Sequence, residues 1–416
     1  MTHLTENAIE QMALEKLRNL GWKVAFGPDL APDGERPERS NYGEVVLVQR
    51  LRESMERINP EVPKVAIKEA LRQVLTQESP SLIENNRRFH RMLTDGVDVS
   101  WMAEDGERHG KVWLLNVENP ENNDWLAVNQ FTVIENRSER RPDIVLFVNG
   151  LPLVVIELKN PGKEQATLRS AYNQLQTYKN DIPSLFVYNE LLVISDGMRA
   201  RFGTITSGWD RFMPWRSTDG TDLYREPGNE KQSEGVVQPG LKTLTDGILN
   251  PRRFQDYVLN FITFEDIGGR TTGIAKKAAG YHQYHAVNQA LASTLIACGI
   301  EAAPDAHYAR FVEAEAADPF RVAEPASEYT SSFGDRRAGV IWHTQGSGKS
   351  LSMVFYASKV IRHPAMENPT IVVITDRNDL DNQLFSTFAA NRQILRQTPV
   401  QAESRADHEQ NHKRNE

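Results

Sequence analysis

The run RPDIVLFVNGLPLVVIELKN (141–160) sets Asp143, Glu157 and Lys159 at the ends of two apolar segments joined by Asn149-Gly150. Side chains alternate along a strand, so Glu157 and Lys159 project from one face with Leu158 on the other. Two carboxylates that meet at strand ends can hold a hard cation such as magnesium (Mg2+) through oxygen. Such a cation lowers the pKa of a bound water and stabilises charge on a phosphate, while the lysine orients or deprotonates the nucleophile. Register is the obstacle. In a regular hairpin about Asn149-Gly150, Asp143 lies opposite Ile156 and Glu157 faces away. The chemistry therefore requires a register break between 150 and 157, and Pro152 marks a place for a bulge.

A second constellation is WHTQGSGKSL (342–351), which follows a short apolar run and opens a helix. Gly346, Ser347 and Gly348 let backbone N–H groups close around phosphates, and a helix N-terminus favours the anion. Lys349 would reach the β- and γ-phosphates of a nucleotide, with the Ser350 hydroxyl on Mg2+. The general pattern G-x-x-x-x-G-K-[ST] departs at its first position, which is His343 here.

These residues need elements to hold them. Helical spacing of apolar residues predicts a helix over 5–20 with Thr5 as N-cap, further helices near 44–58, 64–77 and 79–93, and another over 164–180. Short β-branched and aromatic runs predict strands at 111–117, 129–135, 143–150 and 151–159, then at LFVY (185–188), LLVISD (191–196) and ARFGTIT (200–206). Residues 207–240 are rich in Gly, Ser, Asp and Pro and read as a linker or long loop. Helices near 251–263 and 281–298 follow. The last unit reads as strand 338–342, the Gly-rich turn, a helix over about 349–361 and a buried strand 370–374. An α/β fold class results.

Composition narrows the function classes. The chain has 416 residues, with 48 Lys and Arg against 56 Asp and Glu, a formal charge of −8. A strongly basic nucleic-acid coat is excluded, so any DNA contact must come from local patches. Candidates are Arg137/Arg140/Arg141, Arg199/Arg201, Arg252/Arg253 and Lys276/Lys277, although taken individually each reads first as an ordinary solvated surface patch. The one cysteine, Cys298, excludes an internal disulfide, a zinc finger and an iron–sulfur site, suits a reducing cytoplasmic setting, and reads as a core residue. No apolar run approaches the ~18–20 residues that span a bilayer, so no membrane partner is expected.

The 141–160 run resembles the PD-(D/E)xK nuclease motif of the restriction (R) subunit of type I restriction–modification enzymes. QLQTY (174–178) on the following helix resembles that family's Q-x-x-x-Y motif, so the resemblance assigns Gln174 and Tyr178 to the same site. Helical i, i+4 spacing puts both on one face. Glu10 corresponds to a helical acid that joins such sites. HTQGSGKS resembles the phosphate loop of superfamily 2 helicases in this family, which assigns Thr344, Gln345, Gly346, Ser347, Gly348, Lys349 and Ser350 to ATP. YHQYHAV (281–287) resembles the helicase Q-motif region, in which Gln283 reads the adenine edge; a polar face on a core helix is the other reading. TDRNDLDNQLF (375–385) resembles helicase motif Ia, a segment that faces DNA in that family, which makes Arg377 the residue to reach a phosphate; a solvated loop leading into a helix is the other reading.

The resemblance implies a RecB-like PD-(D/E)xK nuclease domain over 1–206, a connecting segment over 207–260, and a partial RecA-like ATP-binding domain over 261–416. It implies double-stranded DNA as substrate, ATP and Mg2+ as cofactors, and methyltransferase (M) and specificity (S) subunits as partners. One motor element is missing from the sequence. No Asp-Glu dipeptide occurs, and the aspartates after Lys349 (Asp376, Asp379, Asp381 and Asp407) do not end an apolar strand beside a glutamate. The chain is therefore expected to be the front part of a longer product. The alternatives to a full enzyme are a fragment that binds DNA or nucleotide without translocation, and a stand-alone Mg2+-dependent nuclease.

Overall fold

The computed structural model describes residues 5–104, 106–160, 167–228, 235–267, 273–300, 334 and 336–402. They divide into two compact units, one of residues 1–262 and 273–281 and the other of 263–272 and 282–416.

The first unit is mixed α/β. Its six-stranded sheet runs, in spatial order, Lys23–Phe26, Trp125–Asn129, Ile144–Val148, Leu151–Leu158, Leu191–Ser195 and Ala200–Gly203. The first and second strands pair in parallel, as do the fourth and fifth; the other neighbours are antiparallel. The four central strands are buried at every position. A sheet covered on both faces reads as continuous apolar runs rather than alternation, and VVIEL is such a run. The buried Glu157 inside it is the exception that needs a reason.

Helix Glu6–Asn19 begins where expected, with the Thr5 hydroxyl accepting the Ala8 N–H at 3.2 Å. It buries Ile9, Glu10, Ala13, Leu14 and Leu17 and packs on the first, second and fourth strands. Helix Leu168–Asp181 packs on the fourth and fifth.

Several expectations are corrected. The 111–117 run gives way to strand Gly106–Val112, paired antiparallel with Val97–Ala103. The 129–135 run is split, because Gln130 has φ +57° and turns the chain between strands Trp125–Asn129 and Val133–Glu135. LFVY is not a strand: Pro183 opens a helix over Pro183–Val187, and proline's fixed φ suits a first turn. Residues 207–260 do not merely connect. Trp215 packs against Phe202 and Tyr257, and Phe254 against Trp22, all inside the first unit.

In the second unit, helices Tyr281–Ala297 and Lys349–Arg362 share a small core of Leu291, Leu295 and Val360, lined by Tyr356 and Ile371. The expected strands 338–342 and 370–374 are not formed. Trp342 is 89% and Ile374 87% exposed. A strand takes its hydrogen bonds from neighbouring strands, and neither run pairs with one among the described residues. Cys298 is exposed, not a core residue, because it follows the helix whose last turn it was expected to bury. No helix among the described residues is long and apolar enough to cross a membrane.

Candidate active site

The hairpin contains the register break. Ile144 pairs with Ile156, Val145 with Val155 and Leu146 with Val154, but Phe147 pairs with Pro152 and Val148 with Leu151. Leu153 is the extra residue, directly after Pro152. Asn149 and Gly150, at φ +52° and +82°, make the tight turn that a type I′ hairpin demands. Continued one residue further, the shifted register sets Asp143 across from Glu157, as the chemistry requires.

The local bonding is dense. Asp143 Oδ2 accepts the Leu158 N–H at 2.7 Å, and its carbonyl accepts the Gln130 N–H at 2.9 Å. Lys159 donates its N–H to the Ser195 carbonyl at 2.8 Å, which fixes the strand end. Its Nζ lies 2.7 Å from Glu157 Oε1 and 3.7 Å from Glu6 Oε1. Glu157 is 1% exposed, and its Oε2 is buried with no hydrogen-bond partner among the described residues.

Electrostatics follow from that geometry. Burial and the facing Asp143 push the Glu157 carboxyl up to about 8, although Lys159 pulls the other way. Burial raises Asp143 to about 6, against the Leu158 N–H and Lys159, with Glu6 and Glu10 adding to the rise. Two crowded acids, one with an orphaned buried oxygen, are a donor set that a divalent cation would satisfy. No group of three or more His, Cys, Asp or Glu forms a complete metal cage among the described residues. A two-carboxylate site suits Mg2+, which keeps several waters of its own.

Gln174 and Tyr178 meet on one face of helix Leu168–Asp181, with Gln174 Nε2 donating to the Tyr178 hydroxyl at 2.5 Å. Burial raises the Tyr178 pKa, and the negative charges of Glu157 and Asp143 add to it, so the phenol stands within electrostatic range of both acids. Its oxygen already accepts from Gln174, which leaves the phenolic hydrogen to be donated. Glu10 is buried on the first helix and takes one amide on each oxygen: Asn129 Nδ2 at 2.7 Å on Oε1 and Gln130 Nε2 at 2.5 Å on Oε2. Sequence reasoning missed Asn129, Gln130 and Glu6. The signal for the amides was a polar pair interrupting WLAV-NQ-FTVI; Glu6 carried none.

The Gly-rich turn stands in the second unit. Gly346 and Gly348 have φ +80° and +83°, and Gly348 caps helix Lys349–Arg362. A helix leaves its first N–H groups without intrahelical acceptors, and Lys349 and Ser350 supply two of them here. Thr344 accepts from the Ser347 hydroxyl at 2.8 Å through its carbonyl, and Lys349 Nζ donates to the His343 carbonyl at 2.8 Å. Gln345 lies in the turn between them. Gln283 is buried and donates to the Gly348 carbonyl at 3.1 Å and to Ser352 Oγ at 3.3 Å, so its amide braces the turn.

Most candidate DNA-facing cations are occupied internally. Arg140 pairs with Asp181, Arg199 with Asp196, Arg201 with Glu226, Arg252 with Glu121 and Arg377 with Asp379. Lys276 is fully buried against Glu190 and cannot meet a phosphate. Arg137 and Arg141 are exposed.

The molecule is thus a mixed α/β protein with an acid pair and lysine in one unit and a Gly-rich helix entrance in the other. Residues 3–211 match the family described as the type I restriction enzyme R protein N terminus, and residues 282–416 match the SWI2/SNF2 ATPase family. The chain belongs to the type I restriction enzyme R protein family. It is 40% identical over 404 residues to the type I restriction enzyme HindI endonuclease subunit of Haemophilus influenzae, covering 97% of this chain and 34% of that protein. A Methanocaldococcus jannaschii protein, provisionally named as the type I restriction enzyme MjaIXP endonuclease subunit, is 30% identical over 399 residues, covering 92% of this chain and 34% of its own. The chain spans about a third of the length of these relatives.

Proposed function

We propose that Asp143, Glu157 and Lys159 form a Mg2+-dependent phosphodiester-cleaving centre of the PD-(D/E)xK type, acting on double-stranded DNA. The observation that carries this reading is the Glu157 carboxylate: buried, facing Asp143, with one oxygen on Lys159 and the other unpartnered. Family membership supports it.

Asp143 and Glu157 would hold the cation, which when bound supplies positive charge to the scissile phosphate and acidifies a water. Lys159, held by Glu157 and by its own N–H on Ser195, orients the attacking water or takes its proton. Tyr178, oriented by Gln174, offers its phenolic hydrogen to a phosphate oxygen or to the acid pair.

Residues Thr344 to Ser350 would bind ATP, with the Gly346–Gly348 turn around the phosphates and Gln283 bracing that turn rather than reading the base. In this reading the chain works in a type I restriction complex with M and S subunits. ATP-driven translocation belongs there to an assembly larger than this chain, in a cytoplasmic setting.

The test is Mg2+-dependent nicking of supercoiled plasmid by the full chain, the Glu157→Ala variant and the Lys159→Ala variant. The wild type is expected to nick, and each variant to lose about 100-fold or more. Equal nicking by all three, or none by the wild type, contradicts the reading.

A further inference from the structure

Gln130 bonds to the main chain of one acid, Asp143, and to the carboxylate of another, Glu10. Its backbone N–H holds the Asp143 carbonyl at 2.9 Å, and its side-chain Nε2 holds Glu10 Oε2 at 2.5 Å. It does so from a left-handed backbone, φ +57°, which a non-glycine residue adopts at a cost. Such outliers persist where surrounding structure over-determines them. The surroundings do so here. A Cβ at Gly27 would stand 2.6 Å from the Gln130 carbonyl oxygen and 2.7 Å from that of Asn129, so the first strand's end closes on this turn. Asn129 completes the grip on the other oxygen of Glu10 at 2.7 Å.

We propose that Gln130 is a positioning residue for the cation site: it ties the Glu10 carboxylate on the first helix to the main chain of Asp143 on the sheet. The inference rests on the cation-binding reading of Asp143 and Glu157 and adds to it the residue that sets where the neighbouring Glu10 charge, which bears on Asp143, stands. The alternative is a purely structural turn, in which the amide contributes to folding and nothing else. The two separate cleanly because the backbone and the side chain of Gln130 do different things. The N–H on Asp143 survives any substitution other than proline, and the left-handed turn is easier for glycine or asparagine than for glutamine. Only the amide's reach to Glu10 is lost in Gln130→Gly, and in Gln130→Asn it falls short by one methylene.

The experiment measures Mn2+ binding to the full chain by titration calorimetry, beside thermal unfolding, for the wild type, Gln130→Gly, Gln130→Asn and Glu157→Ala. Partners that orient metal ligands typically affect affinity by ~10–100-fold. The expected result is Mn2+ affinity weakened by about 10-fold or more in Gln130→Gly and Gln130→Asn, with melting temperatures within about 3 °C of wild type. Wild-type affinity in both Gln130 variants, while Glu157→Ala abolishes binding, overturns the inference and leaves the cation site standing. Weakened affinity that tracks a large fall in melting temperature in both variants assigns Gln130 to folding alone and also overturns it. Mn2+ binding that Glu157→Ala leaves intact, or none in the wild type, removes the cation site and this inference with it.

Discussion

Glu157 is held against its own preference. A glutamate in water ionises near 4.3, but burial and Asp143 bring this one to about 8. Its folded pKa is raised, so folding gains from the protonated form below the unfolded value, and that gain is lost as pH rises through about 8. The bare site therefore weakens the fold at alkaline pH. In EDTA at pH 9, Glu157→Gln is expected to melt ~2–6 °C above wild type, with the gap closing near pH 5. A wild type that outlasts the variant at pH 9 in EDTA would contradict the strain assigned to this carboxylate. Asp143, Glu157 and Lys159 were legible because strand alternation and the facing acid constrain them. Glu6 was not legible, because its place 3.7 Å from Lys159 depends on how the first helix packs.

Elements are what turn these residues into a site. The extra Leu153 puts Asp143 across from Glu157, and the need for it followed from counting residues about Asn149-Gly150. Long apolar runs made strands Ile144–Val148, Leu151–Leu158 and Leu191–Ser195 legible for the same reason they are buried, whereas Trp125–Asn129 was missed. Non-local partners were not. Lys276, read as a surface cation, lies on strand Gly273–Ala278 with its Nζ on Glu190 Oε2 at 2.7 Å, the Asn189 carbonyl at 2.7 Å and Asn86 at 3.0 Å. Glu190 also meets His90 Nδ1 at 3.0 Å. Burial opposes ionisation of Glu190, yet Lys276 and His90 outweigh it and hold its pKa below the usual value. Its partner stands 86 residues away in sequence, beyond any spacing rule. Breaking one side of a buried pair leaves an uncompensated charge, so Lys276→Met is expected to cost about 3–5 kcal/mol in urea unfolding. Lys276→Met with Glu190→Gln should recover part of that. A single variant as stable as wild type would show that the pair anchors nothing.

At the scale of the molecule, the chain carries an acidic balance of −8, and Arg140, Arg199, Arg201 and Arg252 among the candidate DNA-facing cations are engaged by carboxylates of the chain itself. The two units differ in how far their sequence patterns are realised. In the first, sheet and helices bring Asp143, Glu157, Lys159, Gln174 and Tyr178 into one neighbourhood. In the second, the Gly-rich turn and its helix form, but the apolar runs at 338–342 and 370–374 find no neighbouring strands among the described residues. Apolar patterning states what a segment would bury; pairing requires partners that the pattern does not contain. The chain covers about a third of its relatives' length, so the site in the first unit is the place to test its chemistry. The most direct measurement is anomalous diffraction from crystals of the full chain soaked in Mn2+. The expected result is a cation bound by Asp143 and by Glu157 through Oε2, the oxygen that has no partner among the described residues. Saturating Mn2+ with no peak between those carboxylates would contradict the account.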